Sequence, residues 1–193
     1  MPHPDALYWD HRYNHEASRF IPRSPHGLVI EHLDLFPSNG LVLDMACGTT
    51  STGRYLASRG QWIIALDISI AALRIAQSQV KKDALPISLA VMDLTHPWLP
   101  REHFDVILNF YYLSRPLWKT YRETLKPGGL LFFETFLWEA DMNPDHYLDS
   151  LELKKAFDDW EIIHYAEIQR ASHLPNHSGE KRRVAQLVAR KPI

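Results

Sequence analysis

The sequence predicts an α/β fold, a doubly wound and mostly parallel sheet with helices on both faces. From residue 41 onward, short and continuously apolar runs alternate with segments of helical periodicity. This pattern is typical of parallel strands covered by helices on both sides. An Asp closes each of the first three runs, at the strand ends where such sheets bind ligands. The 193 residues fit one domain with a single core.

The predicted elements follow in order along the chain. The runs LVLDM, WIIALD, ISLAVMD, FDVILNF and LLFFETF are expected to be buried strands. Helices are expected at TGRYLASRG, at IAALRIAQSQVKK after the capping Ser69, and at RPLWKTYRETLK before Pro127. A further helix and two strands follow, joined by the polar loop SHLPNHSGEK. The last strand, in EKRRVAQLVARK, is expected at a solvated sheet edge, with Val184, Leu187 and Val188 buried.

Composition and charge narrow the classes of function. A formal net charge of -2 gives no overall field for capturing nucleic acid or an anionic membrane. One cysteine allows no internal disulfide, and no Cys-x-x-Cys pair indicates zinc. The first residues show no signal peptide, and no apolar run approaches the roughly 20 residues of a membrane span. We therefore expect a cytoplasmic protein without a bound metal.

The stretch LVLDMACGTTSTG raises the question of its ligand. A dinucleotide loop requires G-x-G-x-x-G so that the backbone approaches a pyrophosphate, and this loop does not fit. A phosphate-binding loop requires Lys-Ser or Lys-Thr after its second glycine, but Arg54 and Tyr55 follow Gly53. Asp44, before the turn, would repel a phosphate and suits a cationic or amine-bearing ligand.

Two further carboxylates complete this description of the ligand. Asp67 ends the second strand, 23 residues after Asp44, where an acidic residue accepts both hydroxyls of a ribose. Asp93, at the end of the third strand, is placed to accept from the exocyclic amine of an adenine. S-adenosylmethionine, an adenosine with an ammonium-bearing tail and no phosphate, fits these acceptors.

The residues 44–50, DMACGTT, resemble the first motif, D-x-G-x-G-x-G, of the class I S-adenosylmethionine-dependent methyltransferases. The segments ALD, VMD, FDVIL and LKPGGLLFF follow in the order of that family's later motifs. YWDHRY near the start, with FDDWEIIHYAE and RRVAQLVARK near the end, resembles its tellurite-resistance and thiopurine methyltransferase-like group.

The resemblance implies a Rossmann-like, seven-stranded sheet whose last strand is antiparallel. It also implies an N-terminal helical lid (1–39), a cofactor-binding core (40–135) and a C-terminal part that completes the sheet (136–193). The implied contacts with S-adenosyl-L-methionine come from ten residues: Asp44, Ala46, Cys47, Gly48, Asp67, Ile68, Met92, Asp93, Leu94 and Asn109. Ala46 and Thr50 depart from the family pattern, since both replace glycines.

Catalysis by this family requires no fixed triad, because the methyl donor is already activated. Tyr111, after the fourth strand, is a candidate to face the ligand, and His173 or Arg170 to serve as base or anion holder. By analogy, the acceptor is a small molecule such as a thiol or a metalloid oxyanion. Alternatives are an RNA or protein methyltransferase, a catalytically silent cofactor-binding module that serves a partner protein, and a nicotinamide-dependent reductase. The sequence leaves the acceptor and the oligomeric state open.

Overall fold

The computed structural model of the protein describes residues 3–16, 24–139, 146–171 and 181–193. Seven strands of these residues form one sheet. The strands are β1 (Leu41–Met45), β2 (Trp62–Asp67), β3 (Ile87–Val91), β4 (Phe104–Phe110), β5 (Leu125–Phe136), β6 (Glu161–Ala171) and β7 (Lys181–Arg190). The helices are α1 (Pro4–His15), α2 (Gly27–Glu31), α3 (Ser51–Ala57), α4 (Ile70–Asp83), α5 (Leu117–Thr124) and α6 (Glu152–Ala156).

The strand order in the sheet is β3-β2-β1-β4-β5-β7-β6. The first five strands pair in parallel, whereas β7 is antiparallel to both of its neighbours. The winding direction switches between β1 and β4, because β2 and β3 extend the sheet on one side and β4 and β5 on the other. A crevice at the carboxyl ends of strands beside such a switch is the usual ligand site. The predicted fold class is confirmed.

The core lies on both faces of the sheet, as the continuous apolar runs predict. One face packs Leu43, Met45 and Phe133 against α5 and α6, and the other packs Val42 and Phe132 against α2 and α3. Each of these side chains is fully buried. At about 25 cal/mol per Å² of apolar surface, such burial is the main favourable contribution to the free energy of folding.

The expected edge position of the last strand was wrong. β7 lies between β5 and β6, and β6 forms that edge of the sheet. The reason is visible in its burial: every residue from Val184 to Ala189 is buried, on both faces, and the basic side chains stand only at the two ends. The burial of Val184, Leu187 and Val188 itself is confirmed. In the described ranges, no helix combines the length and the apolar character that crossing a membrane requires.

Candidate active site

The loop between β1 and α3 takes a left-handed conformation at every second residue. Ala46, Gly48 and Thr50 have φ angles of 51°, 55° and 48°. For a residue with a Cβ this conformation costs about 1–2 kcal/mol, and a β-branched residue such as Thr50 adopts it least readily. The backbone therefore follows a path that suits glycine at positions 46 and 50, although neither residue is a glycine.

A buried hydrogen bond holds Thr50 in this conformation. Its hydroxyl donates to Oδ2 of Asp44 over 2.7 Å, and its N–H donates to the carbonyl of Cys47 over 2.8 Å. Gly53 leaves room for the pair, since a Cβ there would overlap Oγ1 of Thr50. A hydrogen bond to a charged group contributes about 1.5–3 kcal/mol, which is enough to offset the strained backbone of Thr50.

Asp67 ends β2 and binds the same loop. Its Oδ2 accepts from the N–H of Gly48 over 2.7 Å, and its Oδ1 accepts from the N–H of Ser69 over 2.8 Å. Each carboxylate oxygen has two lone pairs. Asp67 therefore retains the capacity to accept from two further donors, such as the hydroxyls of a ribose.

Asp44 and Asp67 are two buried carboxylates in one crevice, 4% and 7% exposed. Burial raises the pKa of Asp44 to about 7, against the hydrogen bond from Thr50 and with a contribution from the charge of Asp67. Burial also raises the pKa of Asp67, against the N–H groups of Ser69 and Gly48. Neither carboxylate pairs with a cationic side chain of the described residues. Such a site favours a cationic ligand.

Cys47 lies in the same loop as a packed thiol. Its N–H donates to the carbonyl of Leu66 over 3.0 Å, and its Sγ lies 3.6 Å from the carbonyl oxygen of Gly48. Burial, followed by the charges of Asp44 and Asp67, raises the pKa of Cys47 well above its ordinary value. The thiol therefore stays protonated and is a poor nucleophile.

Helix α1 packs over this crevice. Oδ1 of Asp10 accepts from the hydroxyl of Ser69 over 2.7 Å and from the N–H of Ala71 over 3.0 Å. Asp10 thereby caps α4 from a distant part of the chain. The hydroxyl of Tyr13 lies 2.5 Å from the point where a Cβ on Gly48 would stand. Gly48 thus has two reasons to be glycine: its positive φ and the close approach of Tyr13.

Asp93 stands two residues beyond the end of β3. Its Oδ1 accepts from the hydroxyl and the N–H of Thr95 over 2.6 and 2.8 Å, and its Oδ2 lies 3.9 Å from Nε2 of His3. The two hydrogen bonds from Thr95 lower the pKa of Asp93. Its side chain is 34% exposed, so an ionised carboxylate is accessible to an amine at this end of the crevice.

The neighbours of Asp67 and Asp93 differ in their exposure. Met92 donates its N–H to the carbonyl of Asp67 over 3.0 Å, and both Met92 and Ile68 are half-buried. Leu94 is 4% exposed and packs into the core. Met92 and Ile68 therefore offer more side-chain surface to a ligand than Leu94.

Asn109 is the next-to-last residue of β4 and is fully buried beside Met45 of β1. Its Nδ2 donates to the hydroxyl of Tyr121 in α5 over 2.6 Å. Its Oδ1 has no hydrogen-bond partner among the described residues. A buried acceptor without a partner is uncommon, and an N–H or O–H group of a ligand would satisfy it.

The three catalytic candidates differ in their placement. Tyr111 directly follows β4, and Arg170 lies near the end of β6, which runs in the same direction as β5. Both side chains reach the carboxylate of Glu134 in β5. His173 lies outside the described residues.

Glu134 is the residue that the sequence analysis missed. His26, Tyr111, Arg170 and Gln186 surround its carboxylate, and we call these five residues the Glu134 cluster. The available signal was an acidic residue inside the apolar run LLFFETF, because a charge is rarely buried without partners. The partners come from four separate segments of the chain, so local sequence patterns could not identify them.

Two histidines of α1 are potential metal ligands. His11 and His15, one turn apart on α1, have ring centroids 4.4 Å apart. In the parts of the chain that the structure describes, no three His, Cys, Asp or Glu side chains lie together as a metal site would require.

Comparisons with known proteins point to methyltransferases of this fold. A family model described as "Methyltransferase domain" matches residues 42–129. The probable S-adenosyl-L-methionine-dependent methyltransferase TehB of Haemophilus influenzae is 25% identical over 197 residues, which cover 95% of this chain and 66% of TehB. The ubiquinone biosynthesis O-methyltransferase of Histophilus somni is 26% identical over 135 residues, 65% of this chain and 53% of that protein.

Solved structures give the same fold. The crystal structure of TehB from Haemophilus influenzae has a TM-score of 0.76 at 22% identity, covering 96% of this chain and 66% of that one. The phosphoethanolamine N-methyltransferase 2 of Haemonchus contortus, solved in complex with S-adenosyl-L-methionine, has a TM-score of 0.76 at 13% identity. Its match covers 97% of this chain and 60% of that one.

Residues 42–129 thus match a methyltransferase-domain model, and nearly the whole chain is similar to a probable S-adenosyl-L-methionine-dependent methyltransferase. The chain spans just under two thirds of the length of TehB and about half that of the ubiquinone biosynthesis enzyme.

Proposed function

We propose that the protein transfers the methyl group of S-adenosyl-L-methionine to a small-molecule nucleophile. The observation that carries the proposal is the pair of buried carboxylates, Asp44 and Asp67, beside a loop of three left-handed residues. A cationic ligand lowers the electrostatic cost of burying them, whereas the phosphates of ATP or of a nicotinamide dinucleotide would raise it.

The residues divide between two sides of the crevice. Asp67 holds the ribose hydroxyls, Asp93 accepts from the adenine amine, and the loop at Gly48 passes under the methionine moiety. When bound, the cofactor supplies an activated methyl group, whose carbon–sulfur bond breaks with its electron pair on sulfur as the carbon bonds to the nucleophile. Tyr111 and Arg170 align that nucleophile and help to exclude water from it.

The acceptor that we propose is a small molecule, a thiol or a metalloid oxyanion in the first instance. The names of two relatives specify O- and N-methyl transfer, the latter to phosphoethanolamine, so the class includes small acceptors of several kinds. A net charge of -2 weighs against RNA as the acceptor.

A catalytically silent cofactor-binding module is the competing proposal, and its support was the altered first motif. The left-handed φ angles of Ala46 and Thr50 weaken that support, since the loop keeps the backbone path of a glycine-containing loop. Binding of the cofactor without methylation of any small nucleophile, together with stable co-purification of a partner protein, would favour the module.

Calorimetric titration with S-adenosylmethionine and S-adenosylhomocysteine tests the proposal, with NAD and ATP as competing ligands. We expect micromolar binding of the two sulfur compounds only. The variant Asp67→Asn loses charge-assisted hydrogen bonds to the ribose, so its Kd should rise about 10- to 100-fold, the equivalent of 1.4–2.8 kcal/mol.

A matched control is Asp159→Asn. It removes an exposed carboxylate between α6 and β6 that is paired with Arg122. Its Kd for S-adenosylmethionine should equal that of the wild type. Tight binding of NAD or ATP, or no binding of either sulfur compound, would contradict the proposal.

A further inference from the structure

Glu134 is an ionisable side chain with no exposed surface, near the carboxyl end of strand β5. Its Oε1 accepts from the hydroxyl of Tyr111 and lies 3.2 Å from Nε2 of His26. Its Oε2 accepts from Nε2 of Gln186 over 2.5 Å and lies 3.4 Å from Nε of Arg170. Each oxygen of the Glu134 carboxylate therefore has two partners.

This arrangement costs free energy that an apolar residue would not. Removing a carboxylate from water costs several kcal/mol in a protein interior, and hydrogen-bonded partners offset that only in part. The neighbours of Glu134 on the same face of the sheet, Phe132 and Val188, are apolar and fully buried. The fold does not need a charge at this position, which points to a role in binding or catalysis.

Glu134 is not suited to take up a proton. Burial alone would raise its pKa, but the hydrogen bonds from His26, Tyr111 and Gln186 outweigh burial and lower it. The carboxylate is therefore ionised at neutral pH and stabilised as an anion.

His26 also makes contacts through its second ring nitrogen and through its ring face. Its Nδ1 accepts from the N–H of Leu28 at the start of α2, over 3.3 Å, so the hydrogen on its ring that faces Glu134 is on Nε2. Its ring stacks on Phe110 with the centroids 3.8 Å apart. Both nitrogens are used, and the ring holds Glu134 in place.

Tyr111 is the member of the Glu134 cluster in a strained conformation. Its φ is 64°, which is rare for a bulky residue and is usually found at functional positions. Glu134 fixes it at both ends: the N–H of Tyr111 donates to the backbone carbonyl of Glu134 over 2.7 Å, and its hydroxyl donates to the carboxylate. The Tyr111 ring lies 5.0 Å from that of Phe136 and 5.9 Å from that of His26.

The strained residue Tyr111 lies beside the proposed site of methyl transfer. Tyr111 follows β4 directly, and β4 lies beside β1, from which the glycine loop departs. The N–H of His26 donates to the hydroxyl of Thr52 in the first turn of α3, over 3.0 Å, which joins the cluster to that loop. The cluster therefore stands next to the cofactor site, on the side away from the proposed adenine position.

We infer that Glu134 is a positioning residue of the acceptor site, which holds Tyr111 so that its hydroxyl oxygen accepts a hydrogen bond from the methyl acceptor. The inference rests on the proposed function and narrows its substrate class. Because the hydrogen of Tyr111 is directed to Glu134, the oxygen meets a substrate only as an acceptor. The nucleophile is therefore a thiol, hydroxyl or amine that still carries its hydrogen, and that hydrogen leaves to water as a proton when the methyl group is transferred.

The test compares Tyr111→Phe, Glu134→Gln and the double variant. Each is assayed for transfer of radiolabelled methyl from S-adenosylmethionine to 2-mercaptoethanol, phenol and aniline, and to selenite, an oxyanion probe whose nucleophilic selenium atom carries no hydrogen. Each single variant should lower kcat/KM for the X–H probe that the wild type methylates by about 10-fold or more. The kcat/KM of the double variant should be no lower than that of the less active single variant, because the two residues act as one unit.

Tyr165→Phe is the matched control. The hydroxyl of Tyr165 donates to Glu167 over 2.6 Å, a pair of the same chemistry on β6, and its loss should change kcat/KM less than 2-fold. The Kd for S-adenosylmethionine should stay within about 3-fold of the wild type in all variants. A structural role alone would instead weaken cofactor binding and turnover together.

The outcomes separate this inference from the proposed function. A wild type that binds no S-adenosylmethionine overturns the proposed function itself. A wild type that binds it but methylates only selenite, or none of the probes, overturns the X–H acceptor class. Full activity of Tyr111→Phe overturns the proposed role of Tyr111 and Glu134. If Glu134→Gln fails to fold, Tyr111→Phe still provides the test, because it leaves Glu134 with its three other partners.

Discussion

The hydroxyl of Thr50 donates to Oδ2 of Asp44 over 2.7 Å, within a loop where Thr50 has a φ of 48°. One hydrogen bond thus joins a strained backbone to a buried carboxylate. Thr50 stands where the family's motif has glycine, and the bond supplies a physical reason why threonine is accepted there. The same bond satisfies one oxygen of Asp44 next to the proposed cofactor.

Thr50→Val tests that bond while keeping the branched shape of the side chain. The variant keeps the strain and leaves Oδ2 of Asp44 without its donor, so the free energy of unfolding should fall by about 1–3 kcal/mol. Urea unfolding followed by circular dichroism measures the change. Thr50→Ser retains the donor and should remain within about 0.5 kcal/mol of the wild type; equal stability of both variants would show that the bond contributes nothing.

Ala46→Gly tests the strain of the loop without removing a hydrogen bond. Gly adopts a φ of 51° without the penalty that a Cβ carries, although the unfolded chain gains entropy. We expect the free energy of unfolding to rise by up to about 1 kcal/mol. Ala84→Gly, at a φ of 48° where α4 ends, should give a similar gain with an unchanged Kd for S-adenosylmethionine. A loss of stability in both variants would argue against backbone strain.

Asp44→Asn should change how stability depends on pH. Burial raises the pKa of Asp44 to about 7 in the folded protein, from an ordinary value of 3.8, so the folded state binds this proton more tightly than the unfolded chain. The contribution of Asp44 to stability is therefore complete below pH 4 and declines as the pH rises to about 7, by at most about 1.4 kcal/mol per pH unit.

Thermal unfolding at pH 5, 6, 7 and 8 measures this effect. Relative to the wild type, Asp44→Asn should become progressively more stable from pH 5 to 7 and show no further change above that. A constant difference between the two proteins at all four pH values would mean that Asp44 does not titrate in this range.

Asp10→Ala tests the contact between α1 and α4. The variant removes the acceptor of the Ser69 hydroxyl and of the Ala71 N–H, so the first turn of α4 should lose about 1 kcal/mol of local stability. Hydrogen exchange of residues 70–73 measures the loss. Asp10→Asn keeps an acceptor oxygen and should exchange more slowly than Asp10→Ala; equal protection in all three proteins would show that the cap is not formed.

Much of this fold could be predicted from local patterns. β1, β2 and β4 begin and end as the apolar runs indicate, and Ser69 caps α4 as expected. Asp44 and Asp67 could be placed in one crevice because parallel strands carry their ends to the same edge of the sheet. The position of β7 could not be read in this way, because its charged ends suggested an exposed edge strand and pairing with β5 depends on residues far away in the chain.

The sequence by itself determined the order of strands and helices along the chain, the position of the loop after β1 and the acidic residues around it. Those features follow from periodicity and spacing over a few residues. Only the tertiary structure decided that Ala46 and Thr50 keep left-handed angles, that α1 packs over Gly48, and that Tyr111 and Arg170 meet on Glu134. These features depend on contacts between residues far apart in the chain, and a buried charge such as Glu134 is tolerated only where such contacts bring its partners together.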